Sequence, residues 1–216
     1  MAPVYPVLTS KVGKMVTNNL QIEVAGPDET RRVGERLAKL LGPGDLVMLA
    51  GELGAGKTTF TQGIGKGMGV HGNVSSPTFI VARVHPPEGG NVPLIHADAY
   101  RIEDAEDLET LDLESSLSES VTVIEWGRGK AEHLSDSRLE LDFTRLTGAD
   151  ASIAYAAENY SPTGEGEFNW DALDDREEES ADASEPRLLR ITAYGPRWEG
   201  EAYRSLEAAM LKLGVE

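Results

Sequence analysis

Residues 51–59 of the 216-residue chain read Gly-Glu-Leu-Gly-Ala-Gly-Lys-Thr-Thr, a full match to G-x-x-x-x-G-K-[ST]. The chemistry this spacing serves is phosphate binding. Glycines let successive backbone N–H groups turn inward around an anion, and a helix that starts at the lysine adds the positive end of its dipole. In that arrangement Lys57 reaches the β- and γ-phosphates and the Thr58 hydroxyl ligates magnesium. Glu52, Leu53, Gly54, Ala55, Gly56 and Thr59 complete the cradle. The competing reading is a glycine-rich turn with a chance Lys-Thr. The five apolar residues before the loop and the helical pattern after it count against that reading. A second glycine pattern, 67–72, mimics a dinucleotide fingerprint but follows a helix, whereas that fingerprint requires strand, turn and then helix. Gly63, Gly65, Gly67 and Gly69 are therefore expected to end the helix and loosen the approach to the next loop.

A phosphate loop needs an acidic partner to hold magnesium and order water, usually at the tip of a neighbouring strand. Two residues qualify. Glu125 directly follows the apolar run 121–124. Asp98 lies in His-Ala-Asp-Ala-Tyr-Arg, 96–101, where an extended backbone puts His96 and Asp98 on one face. His96 by itself reads as a structural imidazole. Trp126 fits core packing and an active-site wall equally well. Residues 75–79, Ser-Ser-Pro-Thr-Phe, stand where a switch segment would meet the γ-phosphate, with Ser76 and Thr78 as the hydroxyls. An ordinary Ser-Pro turn is the alternative.

These side chains need strands and helices in alternation to carry them. Residues 20–24 alternate apolar and polar as a half-buried strand does. Asp28 is expected to cap a helix whose stripe is Val33, Leu37, Leu40 and Leu41, stopped by Gly42-Pro43-Gly44. Residues 46–50 read as a buried parallel strand and 57–68 as the loop's helix. Strands are expected at 78–84 and 92–99, a helix over 103–118, and a buried strand at 121–124. Residues 138–143 alternate like a half-exposed antiparallel strand, with 188–194 as the hairpin partner, and Ala202, Leu206, Ala209, Met210 and Leu213 form a last helical stripe. The fold class is α/β, P-loop NTPase-like: a central, mostly parallel sheet flanked by helices, with antiparallel strands at the edge.

Charge narrows the function. The chain has 20 Lys+Arg against 37 Asp+Glu, a net charge of −17, and residues 150–185 hold twelve acids and the single base Arg176. That stretch reads as a disordered, solvated insert within one domain spanning 19–216, behind a flexible tail at 1–18. Its Tyr155, Tyr160 and Trp170 admit a second reading, an acidic-aromatic docking tail. Non-specific binding to a phosphate backbone wants a basic face, so nucleic acid is not expected to be held by this chain alone. The absence of cysteine excludes disulfides, thiolate nucleophiles and Cys-type metal sites. With no secretion signal at the first residues and no apolar run of membrane-spanning length, a cytoplasmic location is expected.

Glu52-Leu-Gly-Ala-Gly-Lys-Thr-Thr59, Ser76-Pro-Thr-Phe79, His96-x-Asp-x-Tyr-Arg101 and Ile124-Glu-Trp126, in that order and spacing, resemble the TsaE (YjeE) family. Those bacterial P-loop ATPases are needed for threonylcarbamoyl modification of the adenosine next to the anticodon of certain tRNAs. The resemblance covers about residues 20–145 and 187–213. It implies Mg²⁺ with ATP as the cofactor, Thr58 and Glu125 at the metal, Asp98 essential for hydrolysis, and Trp126 against the active site. It places Thr30 and Arg187 near the nucleotide. It also implies association with TsaD and TsaB, with ATP hydrolysis resetting that complex between turnovers and tRNA met only through it. The departures are the N-terminal tail and the long connection at 150–185, where the family hairpin is short. A small P-loop kinase would want an arginine-bearing lid, and 85–92 has no arginine. A GTPase would want N-K-x-D and D-x-x-G, which the chain lacks. A non-hydrolysing, nucleotide-dependent interaction module stays open, because a phosphate loop implies binding and turnover depends on how water is placed.

Overall fold

The computed structural model describes residues 18–77, 81–89, 92–146 and 185–211. Seven strands form one sheet: β1 (Asn18–Val24), β2 (Leu46–Gly51), β3 (Ala82–His85), β4 (Leu94–Asp98), β5 (Val121–Glu125), β6 (Arg138–Arg145) and β7 (Arg187–Tyr194). Their order is β1-β7-β6-β2-β5-β4-β3. The central strands β6, β2, β5 and β4 run parallel, while β1, β7 and β3 join antiparallel at the two edges. The helices are α1 (Pro27–Ala38), α2 (Lys57–Met68), α3 (Ala105–Glu109), α4 (Leu113–Leu117) and α5 (Glu201–Leu211).

One face of the whole sheet packs against α1, α2 and α5, through a core that includes Val24, Val47, Leu49, Phe60, Val123, Leu141, Ile191 and Leu206. On the other face, among the described residues, a second apolar cluster covers β2, β5 and β4, where Leu46, Met48, Ile95, Ala97 and Ile124 meet Leu108 of α3 and Leu113 of α4. The antiparallel part of that second face is polar. Arg128 makes a two-pronged contact with Asp142 at 2.6 and 2.8 Å, and Arg138 pairs with Glu140 at 2.8 Å. This explains the clean alternation in 138–143 and 188–194: one side of each strand is core and the other carries a polar layer, in which Arg138 and Glu140 are buried against each other.

Several expectations are corrected by the chain's geometry. The cap of α1 is Gly26 rather than Asp28. Asp28 lies in the first turn, bonded to Arg31 at 2.7 Å, and Glu29 accepts from the Ala25 amide at 2.7 Å. The helix stops at Ala38, so Leu40 and Leu41 pack from the loop beyond it. The helical stretch 103–118 is two short helices, broken where Asp112 takes a positive φ of 47°. Strand β3 begins at Ala82, and residues 78–80 lie outside the described ones. Strand β6 is an interior strand, parallel to β2 on one side and antiparallel to β7 on the other. Residues 1–17, and all but the last residue of the acidic insert, also lie outside the described residues. The ladder flanking the insert is complete up to Arg145 opposite Arg187, and the Leu146 amide donates to Pro186 O at 2.9 Å. Among the described residues no helix is long and apolar enough to cross a membrane.

The glycines of α2 are packing residues inside the helix, and only Gly69 ends it, with φ 67°. A Cβ on Gly63 would stand 2.1 Å from the Arg31 carbonyl oxygen, and one on Gly34 would stand 2.4 Å from that of Phe60. The two helices touch backbone to backbone, which fixes how α2 is rolled above the sheet and where its first turn points. Gly63→Ala gains roughly 1 kcal/mol of helix propensity but forces the helices apart, at about 1–3 kcal/mol or more. Denaturant unfolding of Gly63→Ala is expected to show a net loss of about 2 kcal/mol. Gly42→Ala, where a Cβ meets nothing within 4 Å, is expected to stay within about 0.5 kcal/mol of the parent. Equal stability of the two variants would contradict the close-contact account.

Candidate functional site

Strand β2 is apolar and fully flanked, so it delivers the chain to the sheet's edge at Gly51, where the glycine-rich turn begins. The turn ends at Gly56, the residue before α2, in the left-handed region at φ 106°. A side chain there would meet only ordinary contacts, Arg187 Nε and Thr30 Cγ2 at 3.7 Å, so backbone conformation and not space calls for glycine. Ala55 is buried under the turn, whereas Glu52 is exposed and Leu53 stands out at 84% exposure. Thr59 is half-buried on the helix's first turn.

Lys57 opens α2 and is buried. Its Nζ donates to the carbonyls of Gly51 and Glu52, both at 2.8 Å, and lies 3.9 Å from the centre of the Trp126 ring. Burial pushes the amine below its ordinary pKa, and the carboxylates of Glu125 and then Asp98 pull it back up. Thr58, one residue on, donates to Glu125 Oε1 at 2.9 Å and is 3.2 Å from Oε2. The phosphate-loop hydroxyl and the acid at the tip of β5 are therefore in direct contact.

Asp98 and Glu125 are register partners at the ends of adjacent parallel strands, and both are buried. Asp98 Oδ1 accepts from the Tyr100 amide at 3.0 Å, and Oδ2 accepts from Ser76 Oγ at 3.2 Å. Ser76 thus sits on the catalytic candidate from the proposed switch side. Thr78 lies outside the described residues. The segment ends in Val81, a β-branched residue at φ 67° whose amide bonds Pro77 O at 2.6 Å. Such a conformation costs on the order of 1–3 kcal/mol and persists only where neighbours enforce it. Trp126, immediately after β5, is also left-handed, at φ 61°. That turn carries the indole across Lys57 and edge-on to Tyr100, with centroids 5.1 Å apart.

Thr30 and Arg187 both reach the turn, at Gly56, on the side away from Glu125's partners on β4. Thr30 is fully buried and its hydroxyl donates to Gly26 O at 2.9 Å, so its methyl faces the loop. Arg187 is buried, with its guanidinium bonded to Glu185 O. The structure thus brings Lys57, Thr58, Asp98, Glu125, Trp126 and Ser76 into one contiguous cluster, and sets Thr30 and Arg187 beside the loop.

Residue-by-residue reading of the sequence missed one member. His96, taken as a structural imidazole, is fully buried and places Nε2 2.8 Å from Glu125 Oε1. The signal was present in its two-residue spacing from Asp98, but the partner is across the sheet on β5. Behind it lies His85, with ring centroids 6.4 Å apart.

The family model described as Threonylcarbamoyl adenosine biosynthesis protein TsaE matches residues 24–152. The chain belongs to the TsaE family. It is 58% identical over 122 residues to the tRNA threonylcarbamoyladenosine biosynthesis protein TsaE of Streptomyces coelicolor, covering 56% of this chain and 82% of that protein. It is 41% identical over 134 residues to the protein of that name from Mycobacterium tuberculosis, covering 59% of this chain and 80% of the relative. A crystal structure of Bacillus subtilis YdiB superposes with a TM-score of 0.59 at 25% identity, over 89% of this chain and 97% of that one. TsaE membership places the chain in tRNA threonylcarbamoyladenosine biosynthesis.

One acid-side consequence follows from the histidines. Burial first, then His96 and Arg83, hold the His85 imidazole below its ordinary pKa. The unfolded chain therefore takes up this proton before the folded one does. Stability is complete above the unfolded value of about 6.5 and falls as pH drops from there toward the folded value. The unfolding free energy of His85→Gln is expected to decline less steeply between about pH 7 and pH 5 than the parent's. Parallel declines would show that His85 carries none of the acid sensitivity.

Proposed function

We propose that this TsaE-family chain is a magnesium-dependent ATPase that acts on the TsaD–TsaB transferase complex in tRNA threonylcarbamoylation, hydrolysing ATP to reset that complex between turnovers. The observation that carries the reading is the contact between the loop's Thr58 hydroxyl and the Glu125 carboxylate. Two hard oxygens meet there, at the mouth of a glycine-rich turn, beside a buried lysine. Magnesium binds through one or two protein oxygens and fills its octahedron with phosphate oxygens and water, so this small donor set fits it. Among the described residues no group of three or more His, Asp or Glu side chains competes as a metal site. When bound, the ion would neutralise charge building on the β- and γ-phosphates.

The chain's own residues then divide the work. The loop's amides and the start of α2 bind phosphate. Lys57 exchanges its bonds to Gly51 O and Glu52 O for phosphate oxygens. Glu125 and Thr58 orient the metal. Asp98, held by the Tyr100 amide and Ser76, is placed to order the attacking water and accept its proton. Ser76 links that carboxylate to the segment ending in strained Val81, a fit for an element that reports the γ-phosphate. Thr30 and Arg187 flank the nucleotide from the far side of Gly56. Exposed Leu53 and Tyr100, with half-buried Trp126, line an open cleft of about 670 Å³ next to the loop. Apolar surface at that place suits cover by a partner protein and supports slow turnover by the isolated chain. The net charge of −17 supports contact with tRNA through partners only.

Lys57→Ala is expected to weaken ADP binding by about 10- to 100-fold in calorimetry, the loss of charge-assisted phosphate bonds. Unchanged ADP affinity would remove the loop from the site. Asp98→Asn is expected to lower partner-stimulated hydrolysis by about 100-fold or more while ADP binding stays within about threefold. If normal hydrolysis persists in that variant, Asp98 has no part in the chemistry. The test of the whole reading is threonylcarbamoylation reconstituted with TsaD and TsaB over many turnovers. Omitting the chain, or supplying Lys57→Ala, is expected to limit product to about one turnover per complex. Full product in either case rejects the resetting role. Nucleotide-dependent complex formation with no hydrolysis would favour the interaction-module reading.

A further inference from the structure

The Glu125 side chain is 4% exposed, and it is gripped from two directions. Thr58 on α2 donates to it from the loop side, and His96 on β4 meets Oε1 with Nε2 at 2.8 Å. A carboxylate only accepts, so Nε2 carries the proton and donates. The other ring nitrogen, Nδ1, is buried and makes no hydrogen bond among the described residues. Burying such a group costs about 1–3 kcal/mol that an apolar side chain in this fully covered position would not incur. Packing therefore gives no reason for an imidazole here, and the Nε2 contact does.

The carboxylate has another cation within influence. Lys57 and Glu125 interact electrostatically in the same cluster. Under that pull, a long, three-torsion side chain freed from His96 can swing off the Thr58 hydroxyl, which parts the two oxygens. We propose that His96 is a positioning residue for magnesium: by donating from Nε2 to Oε1 it holds the Glu125 carboxylate against the Thr58 hydroxyl, so that the two oxygens stand ready as a pair for the ion. This rests on the reading of Thr58 and Glu125 as metal ligands. Outer partners of metal-binding side chains typically affect metal affinity by about 10- to 100-fold when removed.

The two amide side chains separate this role from a structural one. At the same Cα, the glutamine amide nitrogen reaches about where Nε2 lies, whereas that of asparagine reaches only about as far as Nδ1. Calorimetry of ADP binding to the full chain, with magnesium and with chelator, gives the factor by which the metal strengthens binding. In His96→Asn that factor is expected to fall about tenfold or more, with metal-free ADP affinity within about twofold of the parent. His96→Gln is expected to keep it within about threefold. In the Glu125→Gln background, His96→Asn is expected to change the factor no further. Thermal melting run alongside shows which variants fold; if His96→Asn does not, His96→Leu, which fills the space without a donor, takes its place. An unchanged factor in the donor-less variant overturns the inference, as does an equal loss in His96→Gln. A parent chain whose ADP binding gains nothing from magnesium rejects the metal reading itself, and this inference with it.

Discussion

A buried carboxylate at the end of a central strand constrains more of this molecule than any other group. A buried carboxylate is costly without donors, and Glu125 takes them from two separate elements, the α2 first turn and β4. Both contacts demand that Asp98 and Glu125 stand in register on the same side of the sheet, as they do. A slip of one residue in either strand would turn one carboxylate to the opposite face. The Thr58 contact further demands that α2 sit close and at one roll angle, which the backbone-to-backbone meeting of Gly63 with Arg31 enforces. Sheet register, helix packing and the phosphate loop are thereby parts of one geometric condition.

Lys57 bonds two carbonyls of its own turn and lies against the Trp126 ring, so the buried amine is never left without partners. On the function proposed above, a phosphate would replace those bonds, and only the difference between the two sets would appear as affinity. The left-handed backbones at Trp126 and Val81 sit on either side of the cluster, one carrying the ring onto the lysine and the other closing the segment that reaches Asp98.

What could be read from the residue order alone was what local pattern controls. The two-residue period placed the strands at 20–24 and 138–143, short apolar runs placed those at 46–50 and 121–124, the loop pattern placed Lys57 and Thr58, and the His96–Asp98 spacing put both on one face. Features set by neighbours were not legible. The strand at 138–143 alternates because one of its faces carries a layer of ion pairs, yet its parallel pairing with β2 depends on sheet order, which its own residues do not encode. Gly63 and Gly67 of α2 look like helix breakers until α1 is known to touch them, and Gly65 until Val74 is seen against it. Gly26 stands at the cap because Pro27 takes the first helical position, which its fixed φ suits and which leaves Asp28 inside the first turn. His96 passed as structural because its partner lies 29 positions along the chain, on another strand.

The end of the β6–β7 ladder has one more implication. Arg145 opposes Arg187 and the Leu146 amide bonds Pro186 O, so the hairpin is zipped shut before the connection departs. Lengthening a loop across an already joined pair costs only about 0.6 kcal/mol per doubling. Evolution can therefore graft or trim sequence at this junction almost freely while the sheet keeps its order. Because Arg187 also reaches Gly56, the graft point adjoins the phosphate loop. A fluorescent domain spliced in at this socket would sit beside the glycine-rich turn, a natural attachment point for a reporter of that turn's surroundings.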